Sequence, residues 1–334
     1  MIFVTGGTGL VGSHVLLKLS QQGNNFRALK RSSSSLKICE KVFRQHNEIE
    51  SYKKISWVEG DINDIGSLED AIQGCTMVLH CAAVVSFSPY DVDLMKKVNT
   101  EGTANVMNIA LDAGVKRVGY VSSIAALGTT ENNSIINESC DFKFTKHISN
   151  YSITKYFAEQ EVWRAAAEGI DVIIINPSVI LGPGDWRKGS SKIFEKIYSG
   201  LNYYSTGSTG YVDVVDVADI LVQLLFSSAK NEKYIVNGIN LKYQDCFNKI
   251  AEAMNKPKAR VKVTPFLKEV AWRIEALRSF VTGKNPLITR ETANSAMSSK
   301  TYDSTKIKDF LSFEFTDFDY TIRKYVSWFL ADQE

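Results

Sequence analysis

The chain has 334 residues, of which 44% are hydrophobic and 23% charged, and its formal net charge is +2. This near-neutral balance, without any block rich in Lys or Arg, argues against nucleic acid as a partner. The five cysteines, at positions 39, 75, 81, 140 and 246, form no Cys-x-x-Cys pair, which favours free thiols in a reducing compartment over a metal cluster or a disulfide framework.

Two further features of the sequence bear on where the protein works. The chain opens directly on an apolar strand, which leaves no room for a signal peptide. No apolar run reaches the roughly 18 residues that a membrane-spanning helix needs. We therefore expect a cytoplasmic protein with no membrane and no metal ion among its partners.

Strand and helix patterns alternate through the first half of the chain. Short, almost wholly apolar strands separated by helices are typical of a parallel sheet that is covered on both faces. The sequence therefore predicts an α/β fold with a doubly wound parallel sheet. The predicted strands are Met1–Thr5, Phe26–Lys30, Ile55–Val58, Met77–Cys81, Val118–Ser122 and Val172–Asn176, and the predicted helices are Leu10–Ser20, Ser33–Gln45, Ile65–Ile72, Asp91–Ala113 and Asn150–Ala167.

After Pro177 the alternation loosens, and Ser205–Gly210 is predicted to be a polar loop. We expect residues 1–177 to form a dinucleotide-binding domain, with residues 211–237 returning to it. Residues 178–210 and 238–334 then form a smaller, mostly helical substrate lobe. Its helices, together with the returning helix and strand, are predicted at Gln244–Met254, Pro265–Val281, Thr289–Met297 and Asp317–Leu330, and at Val214–Phe226 and Tyr234–Val236.

The predicted helix from Phe266 to Val281 carries an apolar stripe and several cations. Such a pattern is compatible with a helix on a membrane surface. Helices of this kind are more often packed on a core with a solvated basic face. We therefore expect this helix to face the core of the smaller lobe.

The first predicted strand runs into a glycine-rich stretch at a strand-to-helix turn. Glycines let the backbone approach a phosphate, and the amides and dipole at the start of a helix bind its negative charge. The stretch is Thr5-Gly6-Gly7-Thr8-Gly9-Leu10-Val11-Gly12, and it predicts a site for the pyrophosphate of a dinucleotide.

A second motif places Tyr151 and Lys155 four residues apart on one face of a predicted helix. A nearby ammonium group lowers the pKa of a phenol, which then exchanges a proton with a carbonyl or alcohol oxygen. Tyr-x-x-x-Lys also arises by chance in many helices. Here the motif is supported by the glycine loop and by Ser122 and Ser123. These two serines lie at the end of a predicted strand, at the edge where open α/β sheets bind ligands.

Taken in order, these motifs resemble the extended short-chain dehydrogenase/reductase superfamily over essentially the whole chain, with the Rossmann fold that this implies. The branch it is most similar to contains dihydroflavonol reductases, cinnamoyl-CoA reductases and 3β-hydroxysteroid dehydrogenases. Beyond the glycine loop, the matching residues are Gly60-Asp61, Cys81-Ala82-Ala83, Asn99-x-x-Gly102-Thr103-x-Asn105, Val121-Ser122-Ser123, Tyr151-x-x-x-Lys155, Asn176-Pro177-Ser178 and Tyr211-Val212-Asp213-Val214-x-Asp216-Val217-Ala218.

The resemblance implies catalytic roles for three side chains. Ser123 would bind the substrate oxygen, with Ser122 as the alternative if the register shifts by one residue. Tyr151 would be the general acid or base, and Lys155 its activator. Asn99 also matches a motif position, although a capping or packing role suits it equally well.

The same resemblance implies a set of cofactor contacts. Asp61 and the backbone of Ile62 would address the adenine. The segment after the fourth strand and the end of the sixth would border the nicotinamide. The remaining implied contacts are Gly6, Thr8, Gly9, Leu10, Val11, Gly12, Cys81, Ala82, Ala83, Ser122, Tyr151, Lys155, Pro177 and Ile180.

The stretch after the second strand bears on the choice of cofactor. NAD-selective relatives carry an acidic residue there, which binds the adenosine ribose. Here it reads Leu29-Lys30-Arg31-Ser32-Ser33, and Arg31 occupies the position of the phosphate-binding arginine of the reductase branch. The sequence therefore predicts NADP(H), with NAD as the alternative.

These motifs predict an oxidoreductase that reduces a ketone or aldehyde by hydride transfer. Two alternatives remain: an NAD-dependent nucleotide-sugar epimerase, and a binding protein that senses the cofactor without catalysis. Eight aromatic residues are candidates for a substrate pocket and favour a hydrophobic small-molecule substrate only weakly; they are Phe87, Tyr90, Phe144, Trp186, Phe194, Tyr198, Tyr203 and Tyr204. A homodimer could form through Asp91–Ala113 and Asn150–Ala167, as in relatives. The apolar residues of these helices would lie in that interface or face the sheet; they are Val106, Ile109, Ala110, Phe157, Val162 and Ala166.

Overall fold

The computed structural model describes residues 1–128, 135–145, 148–283 and 285–333. Within these ranges the strands alternate with helices in the first half, as the sequence predicts. The strands are β1 (Ile2–Thr5), β2 (Phe26–Lys30), β3 (Ser56–Glu59), β4 (Met77–His80), β5 (Arg117–Val121), β6 (Asp171–Pro177), β7 (Val179–Leu181), β8 (Tyr203–Tyr204), β9 (Ser208–Asp213), β10 (Glu232–Val236), β11 (Ile239–Lys242) and β12 (Val261–Lys262).

The helices fill the connections between these strands. Two of them, Ile65–Ile72 and Asn150–Ala167, begin and end where the sequence predicts. A π-helical segment, Lys96–Glu101, joins the helices Val92–Met95 and Gly102–Asp112. The α-helices are α1 (Leu10–Gln21), α2 (Lys37–Gln45), α3 (Ile49–Lys53), α4 (Ile65–Ile72), α5 (Val92–Met95), α6 (Gly102–Asp112), α7 (Asn150–Ala167), α8 (Lys192–Tyr198), α9 (Val214–Leu225), α10 (Tyr243–Ala253), α11 (Pro265–Thr282), α12 (Arg290–Ser295), α13 (Thr305–Leu311) and α14 (Phe318–Ala331).

The central sheet has seven parallel strands in the order β10-β6-β5-β4-β1-β2-β3. The chain reverses its direction of travel across the sheet between β1 and β4, where Thr5 lies opposite His80. Open α/β sheets bind ligands beyond the carboxyl ends of the strands at such a switch point. The doubly wound α/β fold predicted from the sequence is therefore confirmed.

Helices cover both faces of this sheet. On one face α1 and α9 enclose a cluster that includes Leu16 and Leu221, both fully buried. On the other face α6 and α7 pack on the sheet. The apolar residues that the sequence offered for a dimer interface divide accordingly: Val106, Ile109, Ala110 and Val162 are buried in this second cluster, whereas Phe157 is exposed.

The second half adds two small sheets and its own core. The larger has three strands in the order β11-β9-β7, and the smaller pairs β12 with β8. The prediction of a polar loop at Ser205–Gly210 is wrong for its last three residues. Ser208 pairs with Lys242 of β11 and begins β9, because pairing with two neighbouring strands outweighs a weak local preference for a strand.

The position of α11 corrects a second expectation. Only Ser279 of its 18 residues is buried, and its apolar stripe lies on the surface. The core of the smaller lobe is filled instead by α8, α10 and α14, with side chains such as Phe194, Ile250 and Phe329. The stripe therefore faces solvent.

Candidate active site

The glycine loop between β1 and α1 is packed so closely that side chains are excluded at two positions. Gly6 has a φ of +71°, and a Cβ there would lie 2.6 Å from the Ala82 nitrogen. A Cβ at Gly12 would lie 2.1 Å from the Gly6 carbonyl oxygen. The Cys81 amide donates to the Thr5 carbonyl at 3.2 Å. The loop and the segment after β4 are therefore held against each other.

The start of α1 fits a bound anion. Gly9 is the N-cap residue, no side chain caps the helix, and its first turn contains no acidic residue. The amides of Leu10, Val11 and Gly12 precede the first backbone bond of the helix, from Ser13 to Gly9. Such amides and the helix dipole stabilise negative charge. These residues would hold a dinucleotide pyrophosphate, which is the fit that the sequence predicts.

The residues predicted on the adenine side lie beyond β2 and β3. Arg31 is exposed directly after β2, and its amide donates to the Ser34 hydroxyl at 3.3 Å. The Asp61 carboxylate accepts from the Asn63 amide at 2.9 Å and organises the turn after β3. The Ile62 side chain is buried in the core, so only its backbone is available to a ligand.

The two serines after β5 point to different partners, which separates the roles that the sequence left open. The Ser122 hydroxyl donates to Glu159 Oε2 at 2.6 Å and is buried. Ser123 lies beside Tyr151, whose pKa it lowers, and its hydroxyl accepts from the Ala125 amide at 3.1 Å. Ser123 is therefore the serine beside the tyrosine, in the predicted register.

Tyr151 lies in the first turn of α7, where the Ser149 hydroxyl caps the helix by accepting from the Ser152 amide at 3.0 Å. Its ring is 5.8 Å from the ring of Phe87, edge to face. Burial raises the pKa of Tyr151 above its usual value, and the neighbouring Ser123 hydroxyl offsets part of this rise. The expected lowering of this pKa by Lys155 is therefore wrong for this arrangement.

Lys155 explains the difference, because its amine is bound elsewhere. Its Nζ donates to the Tyr120 hydroxyl at 2.5 Å and to the Val121 carbonyl at 3.0 Å, and it lies 4.4 Å from the Tyr120 ring centroid. The side chain is 1% exposed. Burial lowers the pKa of Lys155 to about 7, and the Glu159 carboxylate opposes this shift.

A buried polar network extends behind Tyr120. The His80 ring is stacked on the Tyr120 ring, with centroids 5.4 Å apart. His80 Nδ1 is 2.6 Å from the Thr5 hydroxyl, and His80 Nε2 is 2.9 Å from the Thr103 hydroxyl. Burial lowers the pKa of His80 to about 3, so that its ring is neutral at physiological pH. The end of β1 is thus linked to Lys155 through side chains alone.

Glu159 and Asn176 continue the network on the other side. Asn176 Nδ2 donates to Glu159 Oε2 at 2.9 Å, beside the hydroxyl of Ser122. The sequence patterns did not point to Glu159, Tyr120 or His80. Glu159 could have been found, since it lies four residues after Lys155 on the same helix face.

Asn99 positions the loop after β4. Its Oδ1 accepts from the Val84 amide at 2.7 Å, and its Nδ2 donates to the Val84 carbonyl at 2.9 Å. The same Nδ2 donates to the Thr154 hydroxyl at 3.2 Å. Asn99 is 1% exposed, so its packing role is the one the structure shows.

The residues expected on the nicotinamide side lie where β4 and β6 end. Ala83 is exposed, Pro177 is buried at the last position of β6, and Ile180 is half-buried in β7. Two buried polar atoms nearby, Ser178 Oγ and Asn176 Oδ1, have no hydrogen-bond partner among the described residues. Such atoms fit the polar carboxamide of a nicotinamide ring.

The motif from Tyr211 to Ala218 has a structural function. Asp213 caps α9 and accepts from Thr321 Oγ1 at 2.7 Å and from the Tyr325 hydroxyl at 2.5 Å. Asp216 accepts from the Thr316 amide at 2.9 Å. These two carboxylates fasten α14 and the segment before it to α9.

Part of the aromatic set predicted for the substrate pocket belongs to the core. The Trp186 ring packs edge to face on Phe194 and on Phe329, at 5.3 Å in each case. The Tyr198 ring lies 5.4 Å from the Phe329 ring. Phe87 is the member that contacts Tyr151. The described residues contain no cluster of three or more His, Cys, Asp or Glu side chains suited to a metal ion.

A dinucleotide cradle at the switch point of a doubly wound sheet is the architecture of nicotinamide-dependent enzymes, and this chain is an NAD(P)-dependent oxidoreductase of the extended short-chain dehydrogenase/reductase type. It belongs to the NAD dependent epimerase/dehydratase family, whose sequence profile matches residues 2–237. The family resemblance drawn from the motifs is thereby confirmed.

Relatives within this family carry reductase names. A Synechocystis sp. protein with a provisional dihydroflavonol 4-reductase name is 30% identical over 334 residues, covering 98% of this chain and 94% of its own length. Cinnamoyl-CoA reductase 1 of Petunia hybrida is 30% identical over 247 residues, or 70% of this chain and 72% of that protein. The crystal structure of gox2253 aligns with a TM-score of 0.81 at 28% identity, over 99% of this chain and 98% of its own.

Proposed function

We propose that the protein reduces the carbonyl group of a ketone or aldehyde with NADPH. The position of Ser123 beside Tyr151, close enough to lower the pKa of that phenol, carries this proposal. Ser123 lies beyond β5, which is separated from β1 and its glycine loop by β4 alone. Two hydroxyl groups held side by side can both donate to one carbonyl oxygen. The reductase names of the relatives support the same reaction class.

The protonation state of Tyr151 favours the direction of reduction. Its raised pKa keeps the phenol protonated at neutral pH, which is the form that a proton donor requires. When bound, the cofactor supplies the hydride. Ser123 then holds the substrate oxygen and Tyr151 gives it a proton. Lys155, one turn further along α7, donates to the Tyr120 hydroxyl and the Val121 carbonyl and so holds the end of β5 beside this pair.

The choice of NADP(H) rests on the surface beyond β2. Arg31 is exposed there, beside the hydroxyls of Ser32 and Ser33, and residues 29–33 contain no carboxylate. A guanidinium group binds phosphate oxygens in a bidentate manner. We therefore assign the 2′-phosphate of NADP(H) to Arg31.

Thermal shift of the cofactor-stripped protein tests this assignment. NADP⁺ at about 100 times its Kd should add about 2.7 kcal/mol to the free energy of unfolding, and NAD⁺ less at the same concentration. Arg31→Ala should remove the difference between the two cofactors. Lys54→Ala, another exposed cation, should preserve it. An equal shift with NADP⁺ and NAD⁺ in the unmodified protein would leave Arg31 without the proposed role.

Steady-state turnover tests the chemistry. Tyr151→Phe should lower NADPH-dependent reduction of an aldehyde by about 10²–10⁴-fold with little change in cofactor binding. The matched control is Tyr156→Phe, on the same helix, whose ring stacks on Phe142 at 4.3 Å. Wild-type turnover by Tyr151→Phe would refute the proposed acid.

A nucleotide-sugar epimerase remains the second candidate because of one surface feature. An open cavity is lined by Arg187, Lys192 and Lys196, cations that suit a diphosphate. If this candidate is right, NAD should resist removal from the purified protein, and UDP-hexose should raise the melting temperature. Loss of that shift in Arg187→Ala, with NADPH-dependent aldehyde reduction absent, would favour the epimerase.

A further inference from the structure

The exposed face of α11 is the largest unassigned feature of the surface. Helices of globular proteins normally bury their apolar stripe, and only the polar Ser279 of α11 is buried. Five large apolar side chains of this helix point into solvent: Phe266 (78% exposed), Ile274 (63%), Leu277 (65%), Phe280 (82%) and Val281 (74%).

These side chains form one continuous face. Phe266, Ile274, Leu277 and Val281 are separated by eight, three and four residues, which are the spacings of a single helical stripe. At about 1.5 Å per residue the stripe is about 22 Å long. The helix is capped at both ends, by the Thr264 side chain at its start and by Gly283, with a φ of +65°, at its end. It therefore keeps its shape without a covering partner.

Charge distinguishes this region from the rest of the molecule. Residues 256–290 contain nine Lys or Arg and two Glu, a net charge of +7, while the whole chain carries +2. The remainder is therefore negative, at −5. Lys258, Arg260 and Lys262 are exposed just before α11, and Arg273 is exposed within it. An apolar stripe is thus surrounded by cations.

The buried side of α11 contacts a segment that lies beside Tyr151. The Ser279 hydroxyl is 3.5 Å from the Tyr90 hydroxyl, and the Ser88 hydroxyl donates to Asn285 Oδ1 at 3.3 Å. The neighbouring Phe87 contacts the Tyr151 ring. One short segment, residues 87–90, therefore joins α11 to the active site.

We propose that α11 and the basic segment before it dock the protein on the surface of an anionic lipid bilayer. An apolar helix face with aromatic residues and flanking cations is suited to lie in the interface between headgroups and acyl chains. The net charge of +7 is attracted to anionic headgroups. A second copy of this chain would instead bring two equally charged surfaces together, which opposes association.

The docking needs no membrane-spanning segment. Among the helices within the described ranges, none is long and apolar enough to cross a bilayer. The helix would lie along the bilayer surface, with its buried side at Ser279 against residues 87–90. This surface departs from the expectation that no membrane is among the partners of the chain.

Vesicle sedimentation tests the proposal without any turnover assay. The full chain should pellet with vesicles of palmitoyl-oleoyl phosphatidylcholine that contain about one third of the matching phosphatidylserine, and weakly with phosphatidylcholine alone. The double variant L277S/F280S should bind about tenfold less. Ile65→Ser, which changes another exposed apolar residue on a distant helix, should bind like the wild type.

Charge reversal tests whether the basic segment before α11 is attracted to anionic headgroups. The double variant R260E/K262E should remove most of the preference for phosphatidylserine. The matched control K54E/K116E, at exposed positions of the sheet domain, should retain most of it. An unchanged thermal shift with NADP⁺ or NAD⁺ would show that each variant is folded.

Two results would overturn the proposal. One is equal vesicle binding by the wild type and L277S/F280S. The other is a wild-type dimer in solution that L277S/F280S converts to a monomer, which would assign the stripe to a second copy. Neither result depends on the reaction catalysed, so failure of the docking proposal is distinct from failure of the proposed reduction.

Discussion

The helices α9 and α11, both in the second half of the chain, show how differently two helices of this molecule use apolar residues. In α9, nine of 12 residues are buried between α1 and the sheet. In α11, one of 18 is buried. Both sequences predict helices, and both helices form. The pattern of apolar residues therefore determines the helix, while the neighbouring elements determine whether its face is covered.

The largest expected effect comes from removing a buried side chain of α9, and it tests the difference between the two helices directly. Leu221→Ala should lower the free energy of unfolding by about 2–5 kcal/mol, because Leu221 of α9 is fully buried and its removal leaves a cavity. Leu277→Ala on α11 should change it by less than about 0.5 kcal/mol, since the side chain is exposed. Urea denaturation of both variants measures the difference. A large loss in Leu277→Ala would mean that the stripe is covered in solution.

Two glycines of the first half of the chain allow a similar comparison between a crowded position and an open one. Gly12→Ala should destabilise the fold by about 1–3 kcal/mol and abolish cofactor binding, because its Cβ would meet the Gly6 carbonyl oxygen, a backbone atom that cannot rotate away. Gly66→Ala in α4 is the control. Its Cβ would meet only an Asp64 oxygen at 3.8 Å, so stability should stay equal or rise. Cofactor thermal shifts and denaturation curves give both readouts.

These contrasts show which parts of the site the sequence could predict. The strands and the glycine loop follow from short-range patterns: the apolar period of each strand and the steric demands of one turn. The partners of Lys155 do not follow in this way, because Tyr120 is 35 residues away along the chain and meets it only after β5 and α7 have packed.

The raised pKa of Tyr151 also depends on contacts between elements and could not be predicted from the sequence. It depends on burial and on Ser123, which comes from another element. The sheet of β7, β9 and β11 was also missed, since its pairing joins residues about 30 apart at β7 and β9. Features set by a residue's own neighbours in sequence were predictable, and features set by contacts between elements were not.

The buried network offers a comparison on a single helix. Glu159→Gln should lower the free energy of unfolding by about 1–3 kcal/mol, because the buried carboxylate bonded to Ser122 and Asn176 is lost. Glu161→Gln, whose partner Arg164 lies on the surface, should change it by less than about 1 kcal/mol. Glu159→Gln should also lower the pKa of Lys155 further, since this carboxylate supports its charge. Equal effects of the two substitutions would show that the network contributes no stability.

The last expected effect concerns the stability of the fold in acid. Burial holds the pKa values of His14 and His80 at about 3, below their usual 6.5. The unfolded chain therefore binds protons on both histidines below pH 6.5 while the folded chain does not. Each histidine should remove about 1.4 kcal/mol of stability per pH unit as the pH falls from 6.5 towards 3.

Carboxylates titrate in the same pH range, so a substitution of His80 is needed to separate its contribution to the pH dependence of stability from theirs. His80→Gln retains a polar group between Thr5 and Thr103, which bond to the two ring nitrogens, but it carries no titrating proton. Its melting temperature should fall less steeply than that of the wild type between pH 6 and pH 4.5, whatever its value at pH 7. If the melting temperatures of the variant and the wild type fall equally steeply across this range, His80 takes up a proton in the folded protein. The network behind Lys155 would then be open to water.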